Sequence, residues 1–291
     1  MSTLVPANPA AVTVFANPTP NILTLSVPFL RFGRIPIGGR ATVARLLNGS
    51  LAVFSPIALT PAVRSAVNGL GGDVRYIIAP DIEHHLFLSA WKSAFPDAQL
   101  IGIDGLPEKR AAAAAAQTNS PAPADSDSDP QITDIPFAAV FTAANKKTLS
   151  IDAPFDESFN YEYVDGHGNK ELVFLHKADR ALIQADLIFN LPATEQYSKA
   201  PEELAQKTSG LLYKIFSSFT HTDPAHITLP RVWQYYVTCK NRESYTESVR
   251  RIATWDFDTI IPCHGDVIKG NGKECFTSVM QWFLDSKSKA S

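Results

Sequence analysis

Short apolar runs, each closed by a turn-forming or polar residue, recur along this chain. Their periodicity switches between two residues and about 3.6. Residues 21–32 (NILTLSVPFLRF) are apolar and partly alternating, which predicts a strand region. Residues 41–47 and 51–54 flank Asn48-Gly49-Ser50, and Asn-Gly between apolar runs is a strong hairpin signal. Pro61 opens a helix, where its missing N–H is no loss, and Gly69-Leu70-Gly71-Gly72 ends it. Residues 74–79 (VRYIIA) have the β-branched and aromatic content of a buried strand, closed by the turn Pro80-Asp81. Leu86, Leu88, Trp91 and Phe95 then recur at helix-face spacings, Pro96-Asp97 breaks the run, and residues 99–103 (QLIGI) predict another strand.

The second half repeats this style. Strands are predicted at 160–164 and 171–176 (ELVFLH), around the loop Asp165-Gly166-His167-Gly168-Asn169, and again at 181–185 (ALIQA). Helices fall within 202–219 and 242–255, and residues 259–262 (TIIP) form a last strand. Phe276, Val279, Met280 and Phe283 mark a closing amphipathic helix. Strands alternating with helices argue for sheets covered by helices. Two such halves predict an α/β fold in four layers, an αββα sandwich, with an open doubly wound sheet as the alternative that periodicity alone leaves standing.

Composition breaks this pattern in two places. Residues 1–20 are rich in Pro, Ala and Asn and predict an extended arm. Residues 111–130 (AAAAAAQTNSPAPADSDSDP) pair an alanine run able to extend a helix with a Ser/Pro/Asp tail that has nothing to bury, so a disordered insert is expected there. The insert splits the sequence without splitting the domain, which is taken as 21–291. Of the 291 residues, 45% are hydrophobic and 19% charged, as in a soluble globular chain. A formal net charge of −3 offers no basic footprint for nucleic acid. No apolar run approaches the roughly 18–20 residues of a membrane span, and no charged n-region precedes the first apolar residues, so no secretory signal is expected. Three unclustered cysteines do not make a disulfide framework and fit a reducing, cytoplasmic setting. The expected partner is therefore a small-molecule substrate.

Three strands stop at a metal-capable side chain: IIAPDIE before His84-His85, ALIQA before Asp186, and TIIPC before His264-Gly265-Asp266. Ligands in α/β folds gather beyond strand ends, so His84, His85, Asp186 and His264 can converge. Imidazoles with one carboxylate suit zinc, or iron through a two-histidine, one-carboxylate face. Each residue alone has a plainer explanation: adjacent histidines on a helix diverge by about 100°, His264-Gly265 is a serviceable turn, and Asp186 is a serviceable cap. Together these explanations weaken, because three separate strand ends would share the pattern by accident. Glu83 and Asp81 adjoin the histidines and are candidate general bases, although turn and cap roles suit them equally. Cys263, next to His264, reads as a small buried strand residue. Gly38-Gly39 and Gly71-Gly72 lack the spacing of a phosphate loop. Tyr161, Tyr163, Tyr197, Trp233, Tyr235 and Tyr236 are either cleft-lining or half-buried packing.

The segments VRYIIAPDIEHHLFLSAWKSAFPDAQLIG, ELVFLHKADRALIQADLIFNL and IIPCHGDVIKGNGKECFTSVMQWFL resemble, in order and spacing, the metallo-β-lactamase fold superfamily, and most closely its DUF4336 branch. The resemblance implies the αββα sandwich of that superfamily. The superfamily's hallmark is His-x-His-x-Asp-His after a strand, followed by a later histidine, a bridging aspartate and a final His-Gly. Laid over Pro80 to His85 the hallmark is damaged: Pro80 and Ile82 replace the first two histidines, His84 replaces the aspartate and His85 is retained. Asp186 matches the bridging aspartate and His264 the final histidine. His167 stands near the place of the middle histidine, and His176 competes with it from the end of a strand that leads away. The losses fall on one of the family's two metal positions. The resemblance thus implies one divalent metal, zinc before iron, held by His84, His85, Asp186 and His264. Asp186 would also orient the attacking water, in hydrolysis of an ester, lactone, thioester or amide. A mononuclear iron oxidoreductase is the alternative, and a degenerate member that only binds a ligand or partner is the third reading.

Overall fold

The computed structural model describes residue 6 and residues 8–119 and 131–285. Its strands are β1 (Val14–Thr19), β2 (Ile22–Val27), β3 (Leu30–Arg31), β4 (Ile35–Pro36), β5 (Gly39–Arg45), β6 (Leu51–Phe54), β7 (Val74–Ile78), β8 (Gln99–Ile103), β9 (Ala139–Phe141), β10 (Phe159–Val164), β11 (Glu171–His176), β12 (Ala181–Ile183) and β13 (Thr259–Ile261). Seven of them form one sheet in the order β1-β2-β5-β6-β7-β8-β9, and four form a second in the order β10-β11-β12-β13. The first sheet is antiparallel from β1 to β6 and parallel from β6 to β9. In the second only β12 and β13 run parallel.

Side-chain alternation decides between the two candidate architectures. Along β11, Leu172 and Phe174 enter the core shared with β2, β5, β6 and β7, while Val173 and Leu175 enter a second core with the helices Arg242–Ile252 and Gly272–Val279. On β12, Ala181 and Ile183 face the first core and Leu182 the second, and Ile261 and Ile260 of β13 divide in the same way. A sheet whose two faces bury against different layers is an inner layer, so the sheets pack face to face with helices outside. The helices Pro61–Leu70 and Leu88–Ala94 cover the first sheet through Val63, Val67, Leu88 and Trp91. The four-layer αββα sandwich is therefore the observed fold.

Local chemistry accounts for the boundaries. Thr60 caps the helix Pro61–Leu70 by accepting from the Val63 N–H at 3.2 Å, and Gly71 and Gly72 end it at φ +140° and +78°. Gly49, at φ +88°, makes the β5–β6 hairpin turn between Arg45 and Leu51. The expected extended arm over 1–20 is corrected in part. After the short helix Pro9–Val12, β1 is an edge strand paired to β2, with Val14 opposite Ser26 and Phe15 opposite Leu25. Pro18 falls where the ladder register shifts, a position at which a strand tolerates proline. The alanine run continues the helix Leu106–Asn119, and residues 120–130 of the expected insert lie outside the described residues. No helix among the described residues is long and apolar enough to cross a membrane.

Candidate metal centre

The three strand ends named by the sequence meet at one edge of the sandwich. His84 follows β7 in the turn that Asp81 organises. Oδ1 of Asp81 accepts from the backbone N–H groups of Glu83 and His84 at 2.9 and 2.8 Å, so this carboxylate builds the turn. The same carboxylate accepts from Nδ1 of His84 at 2.8 and 2.9 Å. Since a carboxylate only accepts here, Nδ1 carries the hydrogen and the other ring nitrogen is left to face the site.

His264 follows β13 and is placed in the same manner. Its Nδ1 donates to the Gly38 carbonyl at 2.6 Å, leaving Nε2 toward the site. Arg40 of β5 holds the turn around it, donating to the carbonyls of Pro262 at 2.5 Å and Gly265 at 2.7 Å. Gln196 closes the opposite side, donating to the Cys263 carbonyl and accepting from the Gly265 N–H. Asp186 follows β12. Its backbone N–H and that of Ala185 donate to the two carboxylate oxygens of buried Glu171 at 2.8 and 2.7 Å. Asn169 donates to Oδ2 of Asp186 at 2.5 Å, while the buried Oδ1 of Asp186 has no hydrogen-bond donor.

Nε2 of His84 lies 3.3 Å from Nε2 of His264, which lies 3.1 Å from Oδ1 of Asp186. The three donor atoms all fall within 4.8 Å of one another, the spacing of a site able to hold a metal ion. A tetrahedral zinc with bonds of about 2.0–2.1 Å sets its ligand atoms roughly 3.3 Å apart, so the spacing fits. Two imidazole nitrogens and an unsatisfied buried carboxylate oxygen turned toward one another call for positive charge among them, a metal ion or the proton it would displace. Burial opposes charge on His84, but the adjacent Asp81 carboxylate outweighs it and holds the imidazole well above its ordinary pKa. Burial likewise opposes the charge on Asp186, and the imidazoles of His264 and His84 reverse that effect and hold its carboxyl below the usual range.

The other expected ligands are not brought to this cluster. His85 turns its Nδ1 to the guanidinium of Arg110 at 3.4 Å, which also donates to the His85 carbonyl at 2.7 Å. Arginine only donates, so Nδ1 is the acceptor and the hydrogen of the neutral ring sits on Nε2. Burial, helped by Lys109 and Arg110, lowers the His85 pKa to about 4, so the ring is neutral at pH 7. The expected fourth ligand thus lines the cavity beside the three-donor cluster, with its Nδ1 turned to a guanidinium from the helix Leu106–Asn119. Nδ1 of His167 accepts from the Asn169 N–H at 3.2 Å, which leaves its buried Nε2 as a donor without a partner. His176 donates from Nε2 to the Arg45 carbonyl at 3.0 Å and packs on Phe159, at the far end of β11. The expected general bases also divide. Both oxygens of Asp81 are used on His84, and Glu83 is largely exposed and paired with Lys109 at 3.1 Å. Asp186 remains at the centre.

A cavity of about 600 Å³ opens over the cluster, with His84, His85, Asp186 and His264 among its lining and with walls that include Val27, Phe29, Ile37, Ile57 and Phe87. None of the six aromatic residues singled out in the sequence lines it: Tyr163 is fully buried, with Tyr161 packed beside the inter-sheet core, and Tyr235 packs on Phe283. Arg40, Gln196, Glu171 and the Gly38 carbonyl have no sequence signal, since each acts through backbone groups distant along the chain.

Residues 32–105 match the family model described as "Domain of unknown function (DUF4336)". No curated protein matches the sequence. Among solved structures, the chain is similar to a metallo-β-lactamase from Erythrobacter litoralis at 11% identity and a TM-score of 0.53, over 94% of this chain and 97% of the other. A metallo-β-lactamase from Hirschia baltica aligns at 11% and 0.52, over 93% and 97%. The Flv1 flavodiiron core from Synechocystis aligns at 11% and 0.51, over 96% of this chain and 62% of that one. At such identities the fold is what is shared. This chain has the metallo-β-lactamase fold, and within it a possible metal site of two histidines and one aspartate.

Proposed function

We propose that this chain is a metal-dependent hydrolase. One divalent cation, most naturally zinc, would be held by His84, Asp186 and His264 and would serve the cleavage of an ester, lactone, thioester or amide bond. The observation that carries this reading is the convergence of two imidazole Nε2 atoms and the unpartnered Oδ1 of Asp186 at the base of a cavity. Three protein donors rather than four leave one position open, the pattern of catalytic and not structural zinc. When bound, such a cation polarises a carbonyl and brings the pKa of water to about 7. The chain's own residues do the rest. Asp81 and the Gly38 carbonyl fix the two imidazoles through their Nδ1–H groups, a second layer of contacts that sets ligand orientation. Asn169 occupies Oδ2 of Asp186, so Oδ1 alone is presented to the site, as the oxygen that would hold the cation and orient an attacking water beside it. Apolar side chains make up much of the cavity wall around it. Three unpaired cysteines support a reducing, cytoplasmic setting.

The same two-histidine, one-carboxylate donor set suits a mononuclear iron oxidoreductase, which is the second reading. Elemental analysis of protein purified without chelator or added metal separates the two. About one equivalent of zinc is expected, lost in His264→Ala and Asp186→Ala and kept in His85→Ala. Loss in His85→Ala would return that histidine to the ligand set. Iron at one equivalent favours the oxidoreductase, and less than a tenth of an equivalent of any transition metal sinks both.

A further inference from the structure

The cavity above the cluster is apolar except where charges reach it, and those charges can be paired off. Glu83 is bridged to Lys109 at 3.1 Å, and Arg40 to Glu195 at 3.5 Å. Arg31 remains. It stands at the end of β3, in the two-stranded β3–β4 ribbon, and lines the cavity together with His84, Asp186 and His264. Among the described residues its guanidinium has no ion pair and no hydrogen bond. Its guanidinium lies over the ring of Phe32, whose centroid is 5.2 Å from Cζ. Arg31 is half-buried, and its field reaches the Asp186 carboxylate. A guanidinium on an apolar wall with no carboxylate in direct contact among the described residues is poised for one: its planar fork of donors matches the two oxygens of a carboxylate, and such charge-assisted pairs are among the strong hydrogen bonds. The rest of the wall, including Phe29, Ile37, Ile57 and Phe87, asks for hydrocarbon or an aromatic ring.

We infer that Arg31 is the specificity-determining residue of this cavity and that the substrate is an amphipathic carboxylate: an apolar body against the Phe29 and Phe87 wall, with its anionic group on Arg31. Placing the bond to be cleaved at the His84–Asp186–His264 cluster rests on the hydrolase reading above. The anion position itself does not.

The test is calorimetric binding to the protein as purified, with 4-phenylbutyrate and its neutral amide as probes. The pair shares one apolar body and differs in charge. Wild type is expected to bind the acid about tenfold or more tightly than the amide. Arg31→Met should abolish that preference while keeping the amide affinity, and Arg31→Lys should retain part of it. Because any bound metal is common to wild type and variant, the acid-to-amide ratio isolates Arg31. Should neither variant fold, raising ionic strength from about 0.05 to 0.5 M must weaken acid binding to wild type and leave the amide unchanged. Equal binding of acid and amide to wild type, no binding of either, or a preference that survives Arg31→Met each overturn the inference. Metal content and esterase activity are measured on the same samples. An Arg31-dependent acid preference without metal or turnover removes the hydrolase reading and keeps the anion site, and turnover without acid preference does the reverse.

Discussion

Asp81 and Arg110 show how a neighbour decides what a histidine is for. His84 and His85 are adjacent, share a loop and look equivalent in sequence. Asp81 takes the Nδ1 hydrogen of one, and Arg110 donates toward the Nδ1 of the other, so their free nitrogens differ in kind. Asp81 is three residues from His84 and is legible nearby. Arg110 reaches back from the helix Leu106–Asn119, a partner that only the fold reveals. The difference is measurable. Burial lowers the His85 pKa to about 4, against about 6.5 in an unfolded chain. Between those values the unfolded state takes up a proton that the folded state refuses. The His85 share of stability is therefore constant above pH 6.5 and falls as pH drops toward 4, by a total of about 3 kcal/mol. In His85→Gln that share is absent. Urea unfolding at pH 7 and pH 4.5 should show a smaller acid loss in the variant than in wild type, and equal losses would refute the assignment.

The strand ends were legible because a strand buried on both faces is written as a continuous apolar run, and the first polar residue after it is conspicuous. The turns that complete the ends were less so. His264-Gly265 was visible as a pair, but the reason for the glycine is spatial: at φ +92° a Cβ there would lie 2.1 Å from the Asn190 carbonyl oxygen. Gly38 fails as a phosphate-loop glycine and works instead as the acceptor for His264, with a Cβ excluded by Gln196 at 2.0 Å. A backbone carbonyl has no signature in a sequence. Gly265→Ala should destabilise the protein by about 3 kcal/mol or more, since strained φ and a backbone clash act together, and should abolish any metal binding at the candidate site, with chemical denaturation and elemental analysis as the measurements. Retained metal at wild-type stability would mean that the turn relaxes freely. β1 and β9 were missed for a related reason: each is recognisable only from the strand beside it, β2 or β8.

At the scale of the molecule, the candidate ligands come from both sheets, His84 from the first and Asp186 and His264 from the second. The sandwich itself followed from two halves of alternating strand and helix, yet only the observed register, with the two faces of β11 buried in different cores, excludes an open sheet. What the periodicity could not convey is how the sheets are fastened at this edge. Arg40 crosses from β5 and grips the carbonyls on either side of Cys263-His264, with its side chain wholly out of water. If the cluster takes a metal, that fork would set the timing of its uptake. A ligand turn clamped from the opposite layer is in its final shape before an ion arrives, so capture involves loss of water and a proton but no slow folding of the loop. Rapid mixing of metal-free protein with zinc should show one phase whose rate is proportional to zinc concentration. In Arg40→Met a second, slower phase independent of concentration should follow, as the unclamped turn searches for its shape. Identical traces would show that the turn holds itself, and that Arg40 serves the packing of the layers and not the readiness of the site.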